Sequence, residues 1–241
     1  MTELQKSIAH CTVVGNIVKL PDFHLSNYAD VRKALINAGG TYKRNTFVFA
    51  FDARPVIDML VGGEVSNLKK EFQFFATPKK IATMIVDKAN VQPTDCVLEP
   101  SAGQGAIYEA IKENSNPLSI TCVELMEANC LILKQKAIPH IKANFLEWNT
   151  KLKFHKIIAN PPFSKNQDID HIYKMYSHLR YGGTIVTIAS NHWTFSTNRK
   201  ELEFKKWLDD NIAEITYLKA GDFKESGTNI EAVIIKLTKN E

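Results

Sequence analysis

Nowhere in this chain do apolar residues run to the roughly 20 in succession that a membrane-crossing helix requires, so a membrane-embedded protein is not expected. CxxC pairs are missing too. Cys11, Cys96, Cys122 and Cys130 are scattered, and Cys96 and Cys122 fall inside apolar, strand-like runs. That spacing argues against a zinc ribbon or a dithiol redox motif; free thiols in a reducing compartment are expected, and no metal. The opening MTELQKSIAHC has no basic segment followed by an apolar stretch, so no secretory leader is expected and a cytoplasmic location is. Repeats and low-complexity tracts are absent. Charge of neither sign dominates: 30 Lys and Arg against 26 Asp and Glu leave +4, which permits an anionic partner without requiring one.

The 241 residues, 44% hydrophobic and 23% charged, are enough for one sizeable domain plus a small module. The first 70 residues read as a separate α+β unit. GNIVKL suits a strand, and NYADVRKALINAGG a helix with Tyr28, Val31, Leu35 and Ile36 on one face and Gly39-Gly40 as its stop. RNTFVFAF alternates, which puts Phe47, Phe49 and Phe51 on one side of a strand, and RPVIDMLVGGE reads as a short helix. Over residues 71–241 the pattern becomes strand and helix in turn. TPKKIATMIVDKANV, GAIYEAIKEN, MEANCLILKQKA, DIDHIYKMYSHL and RKELEFKKWLDDN are amphipathic helices. Between them lie the apolar strands DCVLEP, SITCVEL, HKIIA and GTIVTIAS, and AEITYLKA and NIEAVIIKL close the chain as two strands in succession. This predicts a doubly wound, Rossmann-like α/β sheet, mostly parallel, with an antiparallel edge. Ligands of such sheets sit at the carboxyl ends of the strands.

Three of those strand ends carry candidate chemistry. The first leads through Leu98-Glu99-Pro100-Ser101-Ala102-Gly103-Gln104-Gly105 into a helix, and its glycines allow close approach of a ligand to the backbone. The full dinucleotide fingerprint would need another glycine where Tyr108 stands, which weakens an oxidoreductase reading. The next strand ends in Glu124, placed to accept both hydroxyls of a ribose. At a third end, in IKANFLEW, Asn144 either hydrogen-bonds an adenine edge or caps a turn, and Phe145 lies against the ring or in the core. The fourth strand stops at Asn160-Pro161-Pro162-Phe163, where two prolines remove two donors and fix two φ angles. With S-adenosylmethionine as the nucleoside ligand, this turn has a task. The Asn160 side-chain oxygen and the Pro161 carbonyl each accept an N–H of a planar amine such as adenine N6, and Phe163 stacks on the base.

These stretches resemble the amino-group class of S-adenosylmethionine-dependent methyltransferases, chiefly the N6-adenine DNA methyltransferases. The match runs through Phe75-Ala76-Thr77-Pro78, Val97 to Gly105, Glu124 and Asn160 to Phe163, in the gamma-type order of motifs. The resemblance implies a seven-stranded methyltransferase sheet over residues 71–241. It implies that Thr77, Glu99, Pro100, Ser101, Ala102, Gly103, Gly105, Glu124, Leu125, Asn144 and Phe145 line the cofactor. Asn160, Pro161, Pro162 and Phe163 would hold the target amine. Phe223, in GDFKESGTNIEAVIIKL, matches an aromatic that touches the base. The family often has an acidic residue where Asn144 stands, and its gamma-type members carry a large C-terminal recognition domain, whereas this sequence stops after the last strand.

Methylation of duplex DNA requires the adenine to be flipped out of the stack. SNHWTFSTNRKE offers Trp193, Phe195, Arg199 and Lys200 for base stacking and phosphate contact, and the N-terminal unit offers Lys19, Arg32, Lys33, Lys43 and Arg44. Asp168, Asp170 and His171 read as helix-start residues that suit the dipole, not as a metal site. The expected activity is N6-adenine methylation of DNA, of the restriction-modification kind; a paired nuclease, a specificity partner or a dimer stays open. The alternatives are methylation of RNA bases or a protein glutamine, and a non-catalytic nucleic-acid-binding homologue.

Overall fold

A computed structural model describes residues 1–49, 52–63, 77–219, 222–223 and 231–240. Phe51, Phe75, Ala76 and most of the GDFKESGTN stretch lie outside the described residues.

The N-terminal unit is built from helices α1 (Glu3–Ala9), α2 (Tyr28–Asn37) and α3 (Arg54–Gly62) and strands β1 (Thr12–Val14), β2 (Ile17–Lys19), β3 (Thr41–Lys43) and β4 (Thr46–Val48). The strands pair antiparallel in the order β1-β2-β4-β3. Helix α1 has no long apolar stripe in the sequence; a reciprocal capping box between Thr2 and Gln5 starts it. The β3–β4 turn needs two left-handed residues in a row and uses Arg44 (φ 42°) and Asn45 (φ 64°). Val18, Val31, Leu35, Phe47, Phe49 and Val56 are buried together, so the phenylalanines are core. Met126, from the second unit, is buried in this same cluster, and α3 packs against helix α6 described next.

The second unit contains α4 (Lys79–Ala89), β5 (Cys96–Glu99), α5 (Ala106–Asn114), β6 (Ser119–Glu124), α6 (Glu127–Gln135), β7 (Ile141–Lys142), β8 (Phe154–Ala159), α7 (Gln167–His178), β9 (Leu179–Ser190), α8 (Arg199–Asp210), β10 (Glu214–Tyr217) and β11 (Ala232–Thr238). Its seven strands lie in the order β10-β11-β9-β8-β5-β6-β7. Strands β5 to β9 run parallel, and β11 runs against both β9 and β10. The reversed strand is therefore one place in from the edge, because β10 closes the sheet beyond it.

Strict alternation along the strands explains the apolar runs. Val97, Ile158, Val186, Ile188 and Ile234 face α4 and α5, meeting Ile81, Ile85, Ile107 and Ile111. Leu98, Ile157, Ile185, Val233 and Ile235 face α7 and α8, meeting Ile169, Ile172, Phe204 and Leu208. Both faces are covered, so neighbouring residues such as Ile157 and Ile158 are both fully buried, each contributing about 1.5–3 kcal/mol. From β5 the chain winds outward to β6 and β7 on one side, then returns to β8 and β9 on the other. That reversal opens a crevice at the carboxyl ends of β5 and β8. No described helix is long and apolar enough to cross a membrane.

Candidate active site

The turn after β5 is shaped by its backbone. Gly103 and Gly105 take left-handed φ values of 54° and 88°, and a Cβ on Gly105 would stand 2.4 Å from the Ile138 Cδ1 atom. Only glycine meets both demands. Ala102 N donates to the Val123 carbonyl at 3.0 Å, which folds the turn over the end of β6. There Glu124, only 6% exposed, accepts from Gly103 N at 2.6 Å through Oε2 and from Met126 N at 2.7 Å through Oε1. Burial pushes its carboxyl pKa up, and the Met126, Gly103 and Leu125 amides and the Asn129 side chain pull it part of the way back.

Glu99 does not join this wall. It is fully buried; its Oε2 faces the Cys122 thiol at 3.7 Å and its Oε1 has no partner among the described residues. Desolvation drives its pKa well above the ordinary carboxylate value. The expected cofactor contact is thus corrected: the side chain turns back into the sheet. Gly105 likewise stands behind the lining, as the N-cap of α5.

The other half of the crevice is built by side chains. Thr187 Oγ1 donates to the Ala159 carbonyl at 3.3 Å, just where β8 ends. Asn160 Nδ2 donates to Thr77 Oγ1 at 3.0 Å, which fixes the amide plane and turns Oδ1 the other way. Thr77, expected among cofactor contacts, is thereby a brace for Asn160. Phe163 is half-buried against the cluster under α4. Lys165 (φ 53°) and Asn166 (φ 61°) then pass through the left-handed region in succession, a strained pair for residues with side chains.

A polar network holds that pair. Asn166 Nδ2 donates to Glu201 Oε1 at 2.8 Å, and Asn166 Oδ1 meets His192 Nε2. His192 Nδ1 meets Ser190 Oγ at 2.5 Å, and Ser190 donates to buried Asp168 Oδ2 through Oγ at 2.6 Å and through its backbone N–H at 2.9 Å. Burial raises the Asp168 pKa and the Ser190 bonds lower it. Asp168 is therefore no helix cap; its carboxylate ties the start of α7 to the end of β9. Nothing in the sequence pattern pointed to this partner.

The expected substrate residues are placed unevenly. Trp193 is 4% exposed and packs edge-on against Phe204, and Phe223 is buried in the cluster under α4, so neither ring offers a face to a base. Their apolar bulk is needed by the core, which corrects the expected surface role. Phe195, two residues beyond Trp193, is 71% exposed. Arg199 is exposed beside Glu203, and Lys200 pairs with Asp170 at 2.7 Å.

The two halves enclose one cavity of about 480 Å³. Thr77, Pro100, Ser101, Ala102, Gly103, Glu124, Leu125, Asn144, Phe145, Asn160, Pro161, Pro162 and Phe163 all line it. So do Met126, Asn129 and His171, which the motifs did not mark; the first two lie two and five positions beyond Glu124, and His171 reads in the sequence as a helix-start residue. These groups fit S-adenosylmethionine: a carboxylate for the ribose, a glycine turn for the amino-acid tail, and the apolar side chains of Leu125 and Phe145 for the purine. Among the described residues no three His, Cys, Asp or Glu side chains cluster as a metal site.

The sheet is the Rossmann-like fold of the S-adenosylmethionine-dependent methyltransferases, and the cavity fits that cofactor. Residues 65–201 match the ribosomal RNA adenine dimethylase family, and the chain belongs to that family. It is 28% identical over 127 residues, 50% of its length, to the ribosomal RNA small subunit methyltransferase A of Malacoplasma penetrans (strain HF-2), covering 45% of that protein. A type I restriction-modification methyltransferase subunit from Streptococcus thermophilus superposes with a TM-score of 0.62 at 19% identity, over 77% of this chain and 48% of that one. The 23S rRNA methyltransferase ErmE superposes at 0.51 and 14% identity, over 69% and 70%. These structural likenesses show the fold. The chain spans about half the length of the curated relative and of the first of these structures.

Proposed function

We propose that this protein methylates the exocyclic amino group of adenine in nucleic acid, and that its substrate is DNA with the adenine flipped out. One observation carries the reading: Asn160, braced by Thr77 at 3.0 Å, lines the same cavity as Glu124 and the Gly103 turn. S-adenosylmethionine supplies an electrophilic methyl group there. Glu124 holds its ribose, and Pro100 to Gly103 and Phe145 shape the walls. The adenine N6 lone pair is delocalised into its ring. Asn160 Oδ1 and the Pro161 carbonyl accept its two N–H groups, holding the nitrogen in line and favouring a pyramidal, more nucleophilic form. As the N–C bond forms and the sulfur–carbon bond breaks, one N6 proton leaves toward solvent. Catalysis is then positioning and fixed dipoles, with the proline pair removing reorganisation.

Phe195, Arg199 and Lys200 form the rim that meets the strand beside the flipped base. Residues 1–70 act as a recognition module separate from the domain at 71–241, with Arg32, Lys33, Lys43 and Arg44 on phosphates. A partner subunit is the other source of specificity, as the likeness to a restriction-modification subunit invites.

RNA is a second reading, favoured by the family match. Nucleoside mass spectrometry separates the two. Purified protein is incubated with S-adenosylmethionine and either unmethylated DNA or ribosomal RNA, with Asn160→Ala as control. N6-methyladenine in DNA, absent with the variant, supports the first reading. Mono- or dimethyladenosine only in RNA moves the protein to the second. No product from either, with the cofactor bound, rejects both substrates for the isolated chain.

A further inference from the structure

At the purine end of the cavity the side chain that the motifs marked is held by its own loop. Asn144 lines the cavity, but its amide is tied into its own turn: Oδ1 accepts from Leu146 N at 3.1 Å and Nδ2 donates to Glu147 Oε1 at 3.0 Å, which fixes its direction. His171 comes to the same end from α7. Its ring lies 5.6 Å from that of Phe145, tilted by 34°, and it too lines the cavity. Its Nδ1 lies 2.8 Å from the Gln167 carbonyl oxygen, which can only accept. Nδ1 therefore carries the hydrogen, and in the neutral ring Nε2 presents a lone pair. Burial lowers the His171 pKa, more than the Gln167 bond and nearby Asp170 raise it, which favours the neutral ring. No hydrogen bond occupies Nε2 among the described residues, although the side chain is 6% exposed.

We propose that His171 Nε2 accepts a hydrogen bond from the 6-amino group of the bound cofactor, making His171 the residue that selects adenine over a 6-oxo purine at this site. The inference rests on the cofactor reading of the cavity. A 6-oxo group would set one lone pair against another, and the Gln167 bond stops the ring from changing tautomer to relieve it.

Calorimetric titration tests this with S-adenosylhomocysteine and its 6-oxo analogue, S-inosylhomocysteine, on the wild type, His171→Phe and His171→Gln. The wild type should prefer the amino form by about 10-fold or more. His171→Phe keeps the ring beside Phe145 and should lose about 10-fold in affinity for the amino form, together with the preference. Gln can present either its oxygen or its nitrogen, so His171→Gln should bind both analogues within about 3-fold of each other, with affinity largely kept. A wild type that does not discriminate, or a variant that keeps the full preference, overturns the proposal and leaves the cofactor reading standing. No binding of S-adenosylhomocysteine to the wild type overturns both.

Discussion

The two halves of the cavity are made by different means. The turn after β5 is a local structure: two left-handed glycines and one carboxylate at the end of the neighbouring strand, 21 positions on, hold it. The turn after β8 is a distributed structure. Its amide is braced by Thr77, 83 positions earlier, and its exit is held by Ser190, His192 and Glu201, 24 to 35 positions later. A site that only has to fit a fixed cofactor can be moulded from backbone. A site that must hold a flexible amine in line for reaction needs its groups pinned from several directions, because small displacements weaken transition-state contacts steeply.

If this contrast is right, damage in the two halves should divide cleanly between chemistry and binding. The largest effect belongs to Asn160→Ala. It removes one of two acceptors fixed at the reacting nitrogen, and turnover should fall by about 100- to 1000-fold. Affinity for S-adenosylhomocysteine should stay within about 3-fold, since the proposed cofactor contacts lie at Glu124 and the Gly103 turn. Single-turnover rates and calorimetry read the two quantities separately. A parallel collapse of cofactor affinity would erase the proposed division of the cavity.

Gly105→Ala tests the moulded half. Its Cβ would meet Ile138 Cδ1 at 2.4 Å on a backbone already at φ 88°. Overpacking and backbone strain together should cost about 2–4 kcal/mol, a fall in Tm of roughly 4–16 °C. Cofactor affinity should drop as the turn shifts, while the pre-steady-state rate at saturating cofactor changes less. Ser190→Ala probes the distributed half more gently. It leaves the backbone N–H on Asp168 but deletes the hydroxyl between Asp168 and His192. Losing that link should loosen the strained Lys165–Asn166 exit, with turnover down about 10-fold and cofactor affinity unchanged. Wild-type turnover in this variant would mean that the network serves the fold alone.

The same contrast explains what the sequence disclosed. The β5 turn, Glu124 and the NPPF turn were legible because each is a short motif at a strand end, and strand ends follow from period-2 apolar runs. The helices were legible from their stripes, except α1, whose start depends on the Thr2–Gln5 box more than on any stripe. Illegible were the partners of each motif. Thr77 is remote from Asn160 in the chain, and Asp168 finds Ser190 only once α7 is docked on β9. Trp193 and Phe223 misled because an aromatic in a loop reads the same whether it turns outward or into the core. His171 was passed over for a related reason: helix-start acids at Asp168 and Asp170 supplied a local account of the whole stretch.

The smallest expected effect compares two buried carboxylates, one from each half. Asp168 receives two hydrogen bonds from Ser190 on Oδ2, whereas Glu99 Oε2 faces a thiol at 3.7 Å; the other oxygen of each has no partner among the described residues. Desolvation raises the Glu99 pKa well above its ordinary value of 4.5. A raised carboxyl pKa means that the folded state holds the proton more tightly than the unfolded chain. The stability this lends is complete below the unfolded value and is lost as pH rises through the folded one. Glu99→Gln cannot titrate, so its Tm should exceed that of the wild type increasingly between pH 5 and pH 8, the gap widening by roughly 2–4 °C. Asp168→Asn replaces an acceptor that takes two hydrogen bonds, so it should lower Tm across the same range. A gap for Glu99→Gln that stays constant with pH would show that Glu99 is ionised in the folded protein just as it is in the unfolded chain. The unpartnered oxygen would then need another explanation than a bound proton.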